Sequence, residues 1–149
     1  MELTKTGEEY LKAIYLLSEE NEEIRVTDIA EKLNKTKATV NYNVANLTEM
    51  GLIEHETYGN IHLTEEGKKR GRKILEAYDI VYLFLNGILE IEASKAEKEA
   101  NKMKATLDDE TLNKLARYTH KTLGLYSLDC GYDLNKESCR ACARRKTKD

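Results

Sequence analysis

The sequence predicts a mainly α protein that begins as a winged helix-turn-helix and continues as a run of amphipathic helices. Three observations carry this. The first 50 residues read as helix, short extended piece, helix, tight turn, helix. Two short β-like runs around a Tyr-Gly-Asn turn follow directly. From residue 64 to residue 124 the apolar residues recur every three or four positions, the helical period.

Leu11, Ile14, Tyr15 and Ser18 share one helical face, so residues 7–20 are expected to form the first helix. Arg25-Val26 reads as extended. Thr27 is expected to cap a second helix through Leu33, with Asp28 in its first turn and Ile29, Ala30 and Leu33 inward. After Asn34-Lys35, Thr36 is expected to cap a third helix that turns Val40, Val44 and Leu47 to the core and stops at Gly51. Residues 52–57 and 61–63 are the two expected strands, around Tyr58-Gly59-Asn60.

Thr64 is expected to open a long helix bearing Ile74, Ile80, Val81, Phe84, Leu85 and Ile88. Ser94, with Glu97 three residues on, has the capping-box spacing and should start a helix lined by Ala96, Ala100, Met103 and Leu107. Asp108 or Asp109 should start the last, carrying Leu112, Leu115 and Thr119 to Gly124. The apolar sets Ile80/Phe84/Ile88 and Ala96/Ala100/Met103 exceed what a small monomer need bury and point to a dimer. The expected domains are residues 1–73, 74–125 and a cysteine-containing segment 126–149.

Composition narrows the function. The 149 residues are 40% hydrophobic and 34% charged, enough for a core. No apolar run approaches the roughly 18 residues that span a bilayer. The first residues lack a signal-peptide core, so a cytoplasmic protein without a membrane role is expected. The net charge of -3 hides local basic patches. Lys32, Lys35 and Lys37 flank the expected helix-turn-helix, and five of the six residues from Lys68 to Lys73 are basic. Such patches, not net charge, set phosphate contacts.

The short Asn34-Lys35 turn suits a helix-turn-helix whose second helix enters a major groove. With its core side fixed, that helix presents Lys37, Ala38, Thr39, Asn41, Tyr42, Asn43 and Asn46. Asn pairs bidentately with adenine, the Ala and Thr methyls meet the thymine methyl, and Lys meets phosphate or guanine. Thr27, Thr36, Lys37, Ala38, Thr39, Asn41, Tyr42 and Asn43 are therefore the expected contacts to double-stranded DNA. His55 and His62, in the expected wing, are read as structural or as phosphate contacts.

Cys130, Cys139 and Cys142 form "DCGYDLNKESCRAC", a C-x8-C-x2-C pattern in a chain with no other cysteine. Thiolates at this spacing select a soft centre, either zinc or an iron–sulfur cluster. Arg140, Arg144 and Arg145 would lower the thiol pKa values and offset thiolate charge. Either centre wants a fourth ligand, for which Asp129, Asp133 and His120 are candidates. A dithiol oxidoreductase using Cys139 and Cys142 is the enzymatic alternative. It lacks the strand-to-helix context such motifs need, and no second catalytic constellation accompanies it, so no enzyme is expected.

The tract "RVTDIAEKLNKTKATVNYNVANLTEMGLIEHETYGNIHLTEEGKKRGRKIL", Arg25 to Leu75, resembles the DNA-binding half of the diphtheria-toxin-repressor and manganese-transport-regulator family. "EEYLKAIYLL", Glu8 to Leu17, is similar to that family's first helix, and "LTEEGKKRG", Leu63 to Gly71, to its wing exit. The resemblance implies a homodimeric transcriptional regulator: a winged helix followed by a helical dimerisation domain, without the SH3-like domain of longer members.

It also implies a divalent iron or manganese site, and here the sequence departs. The family's ligand positions fall on Glu9, Lys12, Tyr78, Asn101, Lys104 and Ala105. An ammonium, an amide and a methyl replace imidazole and carboxylate donors, so the usual site is expected to be absent. The expected replacement is iron sensing through an iron–sulfur cluster on Cys130, Cys139 and Cys142, with zinc as the alternative.

Overall fold

A computed structural model describes residues 2–56 and 59–124. Thr57, Tyr58 and the whole cysteine segment lie outside the described residues. Contacts divide the chain into two compact units, the first running to Ile74 and the second starting at Leu75.

In the first unit, α1 (Lys5–Glu20) starts at Thr4, whose hydroxyl accepts from the Gly7 amide at 3.0 Å. The helix thus begins two residues before the expected start. Helix α2 (Val26–Leu33) is capped by Arg25 rather than Thr27. The Asp28 carboxylate accepts from the Arg25 amide at 2.9 Å, and a carboxylate at that third position fixes the start one turn back. Asn34 ends α2 in the left-handed region, φ 54°, and turns the chain into α3 (Lys37–Glu49). Thr36 caps α3 as expected, accepting from the Thr39 amide at 3.2 Å.

The wing is an antiparallel hairpin of β1 (Ile53–His55) and β2 (Ile61–Leu63), in the register Ile53↔Leu63, Glu54↔His62, His55↔Ile61. Extended pairing before α2 belongs to Ile24, whose carbonyl accepts from the Ile61 amide at 2.8 Å; Val26 is already helical. Tyr10, Leu11, Ile14, Ile29, Val40, Val44, Leu47, Leu52, Ile53 and Ile61 close one core. Each such aliphatic side chain contributes about 1.5–3 kcal/mol by leaving water.

Helix α4 (Glu65–Leu83) leads from the wing, and Thr64 accepts from the Gly67 amide at 3.0 Å. Its continuation widens into a π-helical turn, Phe84–Ile88, instead of the single regular helix that periodicity predicts. The turn is closed by the Asn86 amide donating to the Ile91 carbonyl at 2.9 Å, beside Glu90 at φ 56°.

In the second unit, α5 (Ala93–Met103) is capped by Glu92, not Ser94. The Glu92 carboxylate accepts from the amides of Ser94 and Lys95, a stronger acceptor than a hydroxyl, and these bonds with the Ser94 hydroxyl hold its pKa down. Helix α6 (Asp109–Leu123) starts at Asp108 and ends at Gly124, φ 67°. Ala77, Ile80, Val81, Leu85, Ala96, Ala100, Leu112 and Ala116 form the second core. Ile80, Ala96 and Ala100 are thus consumed inside the monomer, which corrects their expected role at a dimer surface. Among the described residues of this unit, the exposed large apolar ones are Leu89 and Tyr118. No described helix is long and apolar enough to cross a membrane.

Candidate nucleic-acid interface

Helix α3 is held from behind and bare in front. Val40, Val44 and Leu47 are at most 1% exposed, anchoring one side to the core. The helical period then turns Ala38, Tyr42, Ala45 and Glu49 directly outward, and all four are exposed. Asn41 lies on one flank of this ridge, Thr39 and Asn46 on the other, all exposed.

The polar groups divide into engaged and available sets. Thr36 donates its hydroxyl to the Thr39 hydroxyl at 2.9 Å, and the half-buried Asn43 donates its amide to the Thr39 carbonyl at 2.9 Å. These three stabilise the first turns of α3 from within. Among the described residues, Asn41, Tyr42 and Asn46 make no side-chain hydrogen bond, and Lys32, Lys35, Lys37 and Lys69 make no ion pair. Their polar groups are available to a ligand. Thr27 sits on the first turn of α2, exposed and near Arg25 rather than capping.

The wing presents a mixed charge. His55 and His62 are exposed, but Glu54 pairs across from His62 and the Glu56 carboxylate lies 3.7 Å from His62 Nε2. These carboxylates oppose phosphate; Lys32, Lys35 and Lys37 lie exposed along α2, the turn and the start of α3, and Lys68, Lys69 and Arg70 follow the wing at the start of α4.

The sequence reading missed the tether behind this face. Thr64 Oγ1 donates to the Gly51 carbonyl at 2.7 Å, and the Thr64 amide donates to the Leu52 carbonyl at 3.1 Å. A Cβ at Gly67 would strike the Leu52 carbonyl, so the start of α4 lies directly on the exit from α3. Nothing in the sequence signals this beyond Thr64 and Gly67 at capping distance. Ala45 and Glu49 were also missed, although counting on from Ala38 and Tyr42 by the helical period finds them.

The metal-ligand positions do not fit a divalent ion. Lys12 and Lys104 bring ammonium groups, and Ala105 brings no donor. Tyr78 stacks on Tyr82 with ring centres 5.9 Å apart, and burial followed by the Glu97 charge pushes its phenol well above the usual range. Among the described residues no group of three or more His, Cys, Asp or Glu side chains can hold a metal. Cys130, Cys139 and Cys142 lie outside the described residues.

Comparison with known proteins adds to this geometry. Residues 2–61 match the N-terminal DNA-binding domain of iron-dependent repressors, and residues 64–122 match their metal-binding and dimerisation domain. Over 120 residues the chain is 32% identical to an uncharacterised HTH-type transcriptional regulator of Methanocaldococcus jannaschii, covering 80% of this chain and 96% of that protein. The manganese regulator SloR superposes with a TM-score of 0.67 at 28% identity, over 79% of this chain and 54% of SloR. IdeR of T. acidophilum shares the fold, with a TM-score of 0.65 at 21% identity over 83% of this chain and 55% of that one. The chain spans about half the length of these solved regulators.

Proposed function

The chain belongs to the iron-dependent repressor family of metal-dependent transcriptional regulators, and from that premise we propose that it binds a double-stranded DNA operator as a homodimer through α3. The observation that carries this reading is the outward face of α3, where Asn41, Tyr42 and Asn46 are exposed without internal hydrogen bonds beside the cations Lys32, Lys35 and Lys37. Bases are read by such side chains, and phosphates by such lysines. Lys37, Ala38, Thr39, Asn41 and Tyr42 carry the contacts. Thr36 and Asn43 set the first turns of the helix, and Thr27 lies at the edge. Exposed Leu89 and Tyr118 belong to the subunit contact.

The proposed sensor is the cysteine set. A chain with lysine, tyrosine and alanine at the relatives' ligand positions has no use for the usual manganese or iron site. Cys130, Cys139 and Cys142 would hold an iron–sulfur cluster, which reports iron or redox state. The segment follows α6 just beyond Gly124. Its conformation would act on DNA by setting the spacing of two recognition helices, which must meet grooves about 34–36 Å apart.

The test is the visible absorption and the iron, sulfide and zinc content of protein purified without oxygen, beside electrophoretic shifts on DNA selected from random duplexes. Iron with sulfide supports the cluster; zinc alone makes the cysteines a staple; absence of both overturns a metal sensor. Absence of a selected site overturns operator binding.

A further inference from the structure

We propose that this protein reads A·T base pairs through thymine methyl groups, with Tyr42 as the residue that sets specificity. The inference rests on the DNA-binding reading of α3 and names the base chemistry that face recognises.

The ridge that points straight away from the core is apolar over its first turns. Ala38 and Ala45 are small, and between them Tyr42 stands 69% exposed, the most exposed large apolar side chain among the described residues. This aromatic ring, on a helix anchored by three fully buried residues, stands outside the core of its unit. In a major groove it meets the one apolar group that bases display there, the C5-methyl of thymine. The methyl of Ala38 and the Cβ of Ala45 extend the same apolar strip.

The polar flanks agree. Asn41 and Asn46 carry amides able to pair with adenine N6 and N7. The side chains that pair bidentately with guanine are missing, since α3 contains no arginine and its one lysine, Lys37, sits at the first position beside the N-cap. That ammonium reaches phosphate. Glu49 closes the ridge with a carboxylate, which keeps the last turn of α3 away from the backbone.

The experiment uses the full chain. Sites are first selected from random duplexes, and each thymine of the best site is then replaced by deoxyuridine, which removes one methyl and leaves every hydrogen-bonding group and phosphate in place. Affinity should fall about fourfold for each contacted methyl, the effect of exposing one methyl-sized group. In Tyr42→Ala the sensitivity should vanish at one position of the half-site, and in Tyr42→Phe it should persist, because the ring and not the hydroxyl makes the contact. Selected sites bound specifically but indifferent to deoxyuridine at every position would overturn this inference and leave operator binding standing. Failure to select any site would overturn both.

Discussion

Thr64 Oγ1 donates to the carbonyl of Gly51 at 2.7 Å, joining the exit of α3 to the first turn of α4. The same oxygen accepts from the Gly67 amide at 3.0 Å, so one hydroxyl caps α4 and holds the end of α3.

Thr64→Ala should therefore lower stability by about 1–2 kcal/mol, the range for losing an N-cap acceptor. Thr64→Ser, which keeps the oxygen, should recover most of it. Urea unfolding of the two variants beside wild type measures the difference. Equal losses in both would place the contribution in the methyl group.

Two glycines on either side of this tether should respond differently to alanine. Gly51 lies at φ 76° with open space around it, so Gly51→Ala meets only backbone strain and should cost about 1 kcal/mol. At Gly67 the added methyl meets the Leu52 carbonyl itself, and Gly67→Ala should cost at least about 1–3 kcal/mol. Denaturation midpoints in that order are expected.

Phosphate and base contacts are separable by salt. Lys37→Ala should weaken binding to every duplex and reduce the slope of log affinity against log salt by about one. Asn41→Ala should leave the slope unchanged and cost about 1–3 kcal/mol on the selected site alone. Anisotropy titrations at several salt concentrations check both, and both side chains are exposed, so folding should not change.

Burial holds His120 below the ordinary imidazole range, with 1% of the residue exposed. As pH falls, the unfolded chain takes up this proton before the folded one does. The stabilisation is present above the unfolded value of about 6.5 and is lost as pH falls through the lower folded value. Thermal midpoints should drop as pH falls below about 6.5, and His120→Gln should flatten that slope. Glu92 and Asp108, both held down by capping bonds, add their own loss only in the carboxylate range.

Much of the fold was legible because caps and core spacing coincide. Thr36, Thr64 and Asp108 each precede a periodic apolar run and each accepts from an amide three residues on. Ser94 was misread because the Glu92 carboxylate takes the amides of Ser94 and Lys95, and Thr27 because the Asp28 carboxylate reaches back to the Arg25 amide and sets the start of α2 before it. The π-helical turn at Phe84–Ile88 has no periodic signature, because its extra residue is settled by Asn86 and Ile91 closing across it.

The candidate site was legible to a similar depth. Residues Lys37 to Asn43 were placed on α3, but amphipathicity alone did not distinguish Asn43, drawn back onto the Thr39 carbonyl, from Asn41, which is exposed. Ile80, Ala96 and Ala100 read as a surface because periodicity marks an apolar face without saying what covers it. The cysteine spacing carries its chemistry in the sequence alone.

One measurement separates a cysteine sensor on this reading head from the metal site of the relatives. It is operator affinity without oxygen, for wild type and for the triple variant Cys130→Ser, Cys139→Ser, Cys142→Ser, each with and without added Mn2+. We expect the triple variant to lose its bound metal and change its affinity, and manganese to change neither protein. An affinity governed by manganese and indifferent to the three serines would contradict the account.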